Sequence, residues 1–384
     1  MPKRGVQMTN DLLKVAADRM VAGDYQGAIQ IFQKILTEDP NIVEAHLGLA
    51  QAYSHLGLYE QAIQHCQEYL IHRPSDAEAY YLLSGLFWAI DRMQDAINAC
   101  WKSVQLRHSA EAFYALGYLH LQLSRYQEAV EFFKQALLLK PDYEDALVSI
   151  ASAYHSLGQY HDAISYYNRA LTLNPSLAEA YYGLGLIKLA LNDFQGALKD
   201  LQKASSLNSD DFRFWFALGN ALQLMSRYQE ALDAYERAIQ LQHDFAEAHL
   251  EMARIKRRLG THSEAIKYYQ EAIKTNKNFK KDASIWYELG YTYYKTKHYR
   301  EAVDAFKQAL LLNSNDPIVL HGLGLAYERL GLLEEAIECF QKAISLNPKF
   351  LQARGSLIRL CFRQWRWRDA LNYLRQTWKE LKKK

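Results

Sequence analysis

The sequence predicts an all-α fold, a right-handed α-solenoid (superhelix) of about eleven helix-turn-helix units. Three regularities predict it: a ladder of alanines, a ladder of turn residues and a recurrent proline. The alanines return every 33 to 37 residues, most often after 34, as Ala28, Ala62, Ala96, Ala129, Ala163, Ala197, Ala231, Ala265, Ala302, Ala336 and Ala370. Since one helix pair cannot bury its apolar face alone, this period predicts units that stack on one another.

Each unit is expected to begin with a first helix that carries a bulky residue and then a small one. Trp286 and Gly290 hold these positions, sixteen and twelve residues before Ala302. The small residue lets two helices approach, and the bulky neighbour fills the space beside it. A turn residue then recurs at one position, as Gly23, Gly57, Asp91, Ser124, Gly158, Asn192, Ser226, Gly260 and Gly331. Glycine there suits the left-handed residue that ends a helix.

The second helix carries the ladder alanine and ends at a fixed distance from it. Five of the seven prolines lie twelve residues after a ladder alanine, as Pro40, Pro74, Pro141, Pro175 and Pro348. Proline cannot continue a helix, so it marks the end of the unit. We therefore expect one solenoid over 9–381 with short tails at 1–8 and 382–384. Its units are 9–42, 43–76, 77–109, 110–143, 144–177, 178–211, 212–245, 246–282, 283–316, 317–350 and 351–381.

Two segments depart from the period. The residues KTNKNFKKDAS (274–284) add three positions to one step, and a longer loop between units is favoured over a joint in the superhelix because loops tolerate insertion. The last unit carries Trp365 where a turn residue is expected, within the basic run FRQWRWR. A polar cap that ends the stack is favoured over a basic amphipathic surface for a membrane or nucleic acid.

Composition points to a soluble cytoplasmic protein without an enzymatic role. The net charge of +2 gives no bulk preference for nucleic acid or membranes, and no run is long and apolar enough for a spanning helix. The first residues do not resemble a signal peptide. Four scattered cysteines suggest neither a disulfide framework nor a zinc site. No catalytic motif occurs, so neither a cofactor nor a metal is expected.

One unit carries most of a known repeat motif. Its residues are Trp286, Leu289, Gly290, Tyr293, Ala302, Phe306 and Ala309, with Ser314 in place of the final proline. The pattern resembles the tetratricopeptide repeat (TPR), and the resemblance extends over 9–381. It implies that the first helices line a concave groove that binds an extended peptide or a partner protein.

The best-known peptide clamp of this family holds a terminal carboxylate with Lys and Asn at fixed positions. Those positions carry Leu47 with Gln51, Tyr81 with Gly85, and Tyr114 with Tyr118, so chaperone-tail binding is disfavoured. The asparagine ladder of a related glycosyltransferase superhelix is also missing, since Asn220 is the only asparagine at the first-helix positions that are expected to face the groove.

The first helices place aromatic and then basic residues on the expected groove. The aromatic candidates are Tyr81, Trp88, Tyr114, Tyr118, Tyr182, Phe216, Tyr287, Tyr291 and Tyr294. Tyr287 and Tyr294 are equally explained as ordinary repeat residues. Basic candidates are Arg254, Arg257, Arg258 and Lys295, which favour acidic groups on the partner toward the C-terminal half.

We therefore expect a scaffold or adaptor that binds a protein or peptide. The alternative is a binder of nucleic acid or another anionic surface that uses the basic C-terminal half, where interleaved aromatic and arginine side chains permit base stacking. Nucleic acid and membranes are disfavoured as partners, and self-association is left open.

Overall fold

A computed structural model describes residues 2–381, with side chains described for residues 9–375 and 377. The helices of the first half are α1 (Pro2–Val21), α2 (Tyr25–Glu38), α3 (Val43–His55), α4 (Tyr59–His72), α5 (Ala77–Ala89), α6 (Met93–Leu106), α7 (Ala110–Gln122), α8 (Tyr126–Leu139), α9 (Glu144–Ser156), α10 (Tyr160–Leu173) and α11 (Ala178–Ala190). Those of the second half are α12 (Phe194–Leu207), α13 (Phe212–Leu224), α14 (Tyr228–Leu241), α15 (Ala246–Arg258), α16 (His262–Thr275), α17 (Ala283–Lys295), α18 (Tyr299–Leu312), α19 (Pro317–Leu330), α20 (Leu333–Leu346), α21 (Leu351–Arg363) and α22 (Trp367–Leu381). Within 2–381 these 22 helices, one short 3-10 helix and no strand make up the regular structure, so the predicted all-α fold of about eleven helix-turn-helix repeats is confirmed.

The helices are grouped into two compact units that divide between Leu191 and Asn192. We call them the N-terminal unit, with α1 to α11, and the C-terminal unit, with α12 to α22. Odd-numbered helices are the first helices of the repeats and even-numbered helices the second. Most first helices have 13 residues and most second helices have 14. The expectation of one continuous solenoid over 9–381 stays a prediction.

Within a repeat, the two helices are joined through one residue in the left-handed region. All nine predicted turn residues have positive φ, from 57° at Ser124 to 83° at Gly260. Lys297 and Trp365 occupy the same position with φ of 66° and 61°. Glycine adopts this conformation at no steric cost, whereas a residue with Cβ is held there by the packing of the flanking helices. The regular spacing, more than the residue type, therefore identifies the turn.

The alanine ladder lies at the centre of the helix packing. Every ladder alanine is fully buried. Beside it, in four repeats, a glycine of the first helix faces a large ring from the second helix, as Gly117, Gly219, Gly290 and Gly324 do. A Cβ on Gly117 would lie 2.6 Å from the ring of Phe133. Because that distance is below van der Waals contact, glycine is what allows α7 and α8 to approach this closely.

The insertion at 274–284 forms a longer loop, as predicted. Helix α16 ends at Thr275, a 3-10 helix spans Phe279–Lys281, and α17 begins at Ala283. The ring of Phe279 packs on the apolar cluster around α16 and α17, and the Trp286 indole donates a 3.1 Å hydrogen bond to the Lys280 carbonyl oxygen. The Asp282 side chain caps α17 by accepting from the Ser284 backbone N–H. The loop is thus anchored at several points.

The cysteines occupy apolar positions on the helices. All four are free, with Cys66, Cys100 and Cys361 buried and Cys339 half-buried. Burial raises the pKa of Cys66 to about 12 and the pKa of Cys100 and Cys339 to about 11. These thiols are therefore protonated at neutral pH and pack as small apolar groups.

Candidate functional site

In the N-terminal unit, four of the predicted groove residues surround one cavity. Tyr81 and Trp88 come from α5, and Tyr114 and Tyr118 come from α7. The cavity has a volume of about 480 Å³, and α3 contributes Ser54 to its wall. We call it the aromatic pocket. Successive first helices place these rings together because each helix repeats the same face after one repeat period.

The rings of the aromatic pocket contact one another in fixed geometries. Trp88 meets Tyr118 edge-on with ring centroids 5.9 Å apart, and Tyr118 lies 6.3 Å from Tyr114. Tyr114 also packs against Tyr143 at 5.1 Å and against the buried Phe133 at 5.7 Å. Centroid separations of this size are those of favourable aromatic pairs, so the rings hold each other in place.

The pocket presents apolar ring faces that remain accessible. Trp88 is 46% exposed and Tyr81 is 42% exposed, which is high for large aromatic side chains on a packed helix. Burial raises the pKa of Tyr81 and Tyr114, and it raises the pKa of Tyr143 to about 12. The hydroxyl groups therefore stay protonated and neutral at physiological pH. The pocket can accept an apolar side chain and donate hydrogen bonds at its edge.

Two further predicted aromatic residues lie outside this pocket. Tyr182 is half-buried on α11. Phe216 is half-buried on α13, where Phe245 covers one side at 4.8 Å and Tyr235 lies at 5.5 Å. Phe216 therefore packs on both rings within the C-terminal unit, and the groove positions of Phe216 and Tyr182 stay predictions.

The C-terminal unit carries a polar network where the sequence predicted a basic surface. Arg254 pairs with Glu251 at 2.8 Å and with Glu288 at 3.2 Å. The Tyr269 hydroxyl donates to the same Glu288 carboxylate at 2.7 Å and accepts from Nε of Arg257 at 3.1 Å. We call this set the Arg–Glu network. It links α15, α16 and α17 by charge-assisted hydrogen bonds, which are stronger than neutral ones.

The network extends toward α13 and α14 through uncharged groups. Gln223 donates to Glu251 at 2.8 Å, and the Tyr235 hydroxyl lies 3.0 Å from Oε1 of Gln223 and 2.7 Å from Oδ1 of Asn220, so these two acceptors share its single proton. Burial disfavours the charge of Arg254, but the carboxylates of Glu288 and Glu251 outweigh it and raise the pKa of that guanidinium. Arg254 is therefore held inside the protein's own polar contacts.

Arg257 and Arg258 differ from Arg254 in having no carboxylate partner among the described side chains. Arg258 lies over the Tyr228 ring with 5.1 Å between the guanidinium carbon and the ring centroid. Both arginines line a cavity of about 430 Å³ together with Gln223, Tyr228 and Arg254. The net charge around this cavity is positive, which suits an anionic group.

The remaining candidates form a partly covered tyrosine row on α17. Tyr287 lies 6.4 Å from Tyr291, whose ring is covered by the Lys295 ammonium at 5.2 Å. Tyr294 packs on Tyr299 at 5.7 Å and accepts a long hydrogen bond of 3.4 Å from Arg329. Tyr294, a predicted groove residue, therefore contacts the first residue of α18.

Other basic side chains on the first helices are also paired. Arg359 and Arg363 both lie near Glu328, at 3.5 and 3.4 Å, and Arg213 pairs with Asp211. Thus much of the predicted positive charge is offset within the protein.

The sequence-based search missed the acids and the ring that complete the two sites. Glu251 lies three residues before Arg254, and Glu288 lies 34 residues after it. One repeat period brings equivalent faces of successive first helices together, so this spacing was an available signal for the ion pair. Tyr143, which packs on Tyr114, precedes α9 rather than lying on a first helix, and no groove pattern includes it.

Among the described side chains, no three or more His, Cys, Asp or Glu residues come together in a group that could hold a metal ion. Over the same part of the chain, no helix combines the length and hydropathy needed to cross a membrane.

Paired helices with small-residue crossings and an accessible aromatic pocket define a helical-repeat protein-interaction scaffold. Models of the tetratricopeptide repeat match residues 20–100, 110–143, 151–192, 185–226 and 212–245. The chain belongs to the tetratricopeptide-repeat family, whose repeats are typically non-catalytic. The model described as the cilia and flagella-associated protein 70 C-terminal domain matches residues 245–382.

Three individual relatives have low sequence identity to this chain and match half of it or less. Tetratricopeptide repeat protein 13 of Homo sapiens is 26% identical over 38% of this chain, and this chain spans about a fifth of its length, 22%. The crystal structure of MamA is 31% identical, covers 44% of this chain and 94% of its own, and has a TM-score of 0.42. The structure of YrrB, titled a TPR protein with an unusual peptide-binding site, is 22% identical and covers 50% of this chain and 97% of its own, with a TM-score of 0.44.

Proposed function

We propose that this protein is a non-enzymatic adaptor whose aromatic pocket binds an apolar side chain of an extended peptide or partner protein. The observation that carries the proposal is the convergence of Tyr81, Trp88, Tyr114 and Tyr118 on one open cavity of about 480 Å³. Exposed aromatic rings that lie together are costly to leave in water and commonly anchor a partner. Because neighbouring rings already fix these side chains, little side-chain entropy is lost on binding.

A second contact is proposed for the C-terminal unit. An acidic group of the partner would bind at Arg257 and Arg258, next to Tyr228. Their guanidinium groups have no carboxylate partner among the described side chains, whereas Arg254 is held by two. A carboxylate there would gain charge-assisted hydrogen bonds without breaking the Arg–Glu network. The free cysteines fit a reducing compartment, which supports the cytoplasmic location that we propose.

Peptide selection tests the pocket directly. Twelve-residue peptides would be selected from a displayed library on the full chain, and their affinities measured by fluorescence anisotropy. We expect Trp88→Ala and Tyr118→Ala each to weaken the selected peptides about tenfold or more, as for central aromatic anchors. Trp101→Ala is the matched control, because Trp101 is 45% exposed in the same unit but lies outside the pocket. If all three variants bound the selected peptides with equal affinity, the proposal that the aromatic pocket binds them would be wrong.

Salt dependence separates peptide binding from the nucleic-acid alternative. Aromatic anchoring should persist as ionic strength rises, whereas binding of a single-stranded oligonucleotide should fall steeply because condensed counterions are released. Replacing Arg257 and Arg258 by Ala should weaken acidic peptides and leave neutral peptides unchanged. A single-stranded oligonucleotide that binds more tightly than any selected peptide, and that is lost in this double variant, would favour the alternative.

A further inference from the structure

A second apolar cavity lies between second helices α16 and α18 of the C-terminal unit. It has a volume of about 480 Å³. Its floor is formed by Trp286, Leu289 and Tyr293 of α17, with Ile273 from α16 and Ala305 from α18. We call it the α16–α18 cavity. The tyrosine row on α17 is not part of its wall.

The cavity exists because Ala305 is small. Ala305 lies three residues after a ladder alanine, and other repeats carry a large ring at that position. Tyr268 packs there on His249 at 6.0 Å, and Tyr166 stacks there on Tyr154 at 5.6 Å. In those repeats the chain fills the space with its own aromatic side chain. At Ala305 the space is left open, and it has the size and lining to take such a ring from elsewhere.

Alanine also occurs at this position in two other repeats, as Ala99 and Ala234. There, however, the acidic residue just before the ladder alanine is neutralised by the arginine that precedes the second helix. Asp95 pairs with Arg92 at 2.6 Å, and Glu230 pairs with Arg227 at 2.6 Å.

The rim beside Ala305 lacks that arginine. His298 stands in its place, and its Nδ1 lies 2.9 Å from the Thr296 hydroxyl oxygen. Glu301 and Asp304 are both exposed, and among the described side chains no cation lies within ion-pair distance of either carboxylate. The opposite rim is basic: Lys274 is paired with Glu271 at 3.1 Å, and Lys280 of the inserted loop also lines the cavity. The α18 rim therefore combines an open apolar cavity with two free negative charges.

We propose that the α16–α18 cavity is a docking site for a partner segment that presents a large aromatic side chain followed directly by a basic one. The ring would take the place that Tyr268 and Tyr166 fill in their own repeats, between Trp286 and Tyr293. The adjacent Lys or Arg would pair with Glu301 and Asp304. This site shares no lining residue with the aromatic pocket.

Two dipeptide probes test the site. We would use N-acetyl-5-fluorotryptophyl-arginine amide and the same compound with glutamate, and follow binding to the full chain by fluorine NMR. The arginine probe should bind about threefold more tightly than the glutamate probe, which is the size expected for exposed ion pairs. Replacing both Glu301 and Asp304 by Lys should reverse that order. Absence of binding by the unsubstituted chain, or equal binding of both probes, would overturn the proposal.

A cavity-filling substitution tests the location. Ala305→Tyr installs the residue that other repeats carry, so the helices should fold as before, which circular dichroism would verify. It should abolish probe binding, while Ala305→Ser, which leaves the cavity open, should retain it. Unchanged binding in Ala305→Tyr would overturn the proposal. If Ala305→Tyr fails to fold, the double replacement of Glu301 and Asp304 by Lys still tests the proposal.

The double variant Tyr114→Ala, Tyr118→Ala should bind both probes as the unsubstituted chain does. This comparison keeps the failure of one site distinguishable from the failure of the other.

Discussion

The aromatic pocket of the N-terminal unit and the Arg–Glu network of the C-terminal unit are built on the same kind of helix pair with different side chains at one repeated position. Four residues after the ladder alanine, the N-terminal unit places Cys100 and Phe133 beneath the aromatic pocket. At this position the C-terminal unit places Tyr235 and Tyr269, whose hydroxyl groups enter the polar contacts around Glu251 and Glu288. At these two sites a hydroxyl group at the repeated position accompanies the change from an apolar face to a polar one. The residue type does not follow the unit as a whole, since Tyr167 holds this position in the N-terminal unit and Phe306 and Phe340 hold it in the C-terminal unit.

This comparison shows that the repeat determines the backbone of the helix pairs, whereas the side chains that line the two sites can differ. Both units keep the fully buried ladder alanines. The aromatic pocket is stabilised by ring contacts and burial, and the Arg–Glu network by hydrogen bonds whose members must all be satisfied. Substitutions in the aromatic pocket should therefore lower the free energy of unfolding through lost ring packing, and substitutions in the Arg–Glu network through hydrogen-bonding groups left without a partner.

The largest effect is expected for Phe133→Ala. Phe133 is completely buried and supports Tyr114. Loss of the ring should lower the free energy of unfolding by about 3 to 5 kcal/mol, measured by urea denaturation. It should also weaken peptides selected on the aromatic pocket, because Tyr114 loses its support. Phe340→Ala in the C-terminal unit is the control, with a similar stability loss and no effect on peptide binding. A loss below about 1 kcal/mol would show that the pocket floor is not tightly packed.

Glu288→Ala should have the next largest effect. It removes a carboxylate that accepts from both Arg254 and Tyr269. The free energy of unfolding should fall by about 1 to 3 kcal/mol, since those donors lose a partner while partly shielded from water. Urea denaturation measures the change. Glu236→Ala, at an exposed position of the same unit, should stay within about 0.5 kcal/mol. Equal effects of both substitutions would show that the network adds nothing to stability.

The helical architecture could be predicted because it rests on short, repeated signals. Each turn position was identified from spacing, and the structure gives positive φ even at Asp91, Ser124 and Asn192, which are not glycine. Lys297 adopts the same conformation although its residue type gives no indication of a turn. Lys297 was not among the predicted turn residues, but it lies five residues before Ala302, as the others do before their ladder alanines, so the spacing carries more information than the local residue preference.

The sites were predicted less completely, for a physical reason. The aromatic pocket follows from one face of two successive first helices, and a helical pattern reveals that face. Whether the charge of Arg254 is paired depends on Glu288, which is 34 residues away, and on the exact positions of two side chains. The α16–α18 cavity arises from a missing ring at Ala305, and a list of prominent residues overlooks an absent side chain.

Tyr269→Phe isolates the hydroxyl group on which the comparison rests. The ring stays in place, but the hydrogen bonds with Glu288 and Arg257 are lost. Burial and the Glu288 carboxylate raise the pKa of Tyr269, so the hydroxyl group is the protonated donor that the substitution removes. The free energy of unfolding should fall by about 1 kcal/mol, again measured by urea denaturation. A double-mutant cycle with Glu288→Ala should show strong coupling, and additive effects would place the hydroxyl group outside the network.

The smallest effect concerns acid, and it distinguishes the units by chemistry. In the N-terminal unit, Nδ1 of His46 lies 3.0 Å from Nδ1 of His65. Burial lowers the pKa of both histidines. The charge of His72 lowers the pKa of His46 further, and the charge of His46 lowers the pKa of His65 further, whereas the Glu68 carboxylate opposes both shifts. The folded state therefore binds these protons less readily than the unfolded state. Stability from the pair is complete above the ordinary histidine pKa of about 6.5 and declines as the pH falls below it.

Hydrogen exchange, corrected for intrinsic rates, can locate this acid sensitivity. Between about pH 7.5 and about pH 5.5, amide protection of α3 and α4 should fall, because the unfolded histidines become protonated in this window. Protection of α13 and α14 should change less, since no histidine lies within 212–241 and the Arg–Glu network that those helices contact does not depend on a histidine. His65→Gln should reduce the difference between the two helix pairs. A uniform loss of protection in both pairs would mean that the histidine pair is not the acid-sensitive element.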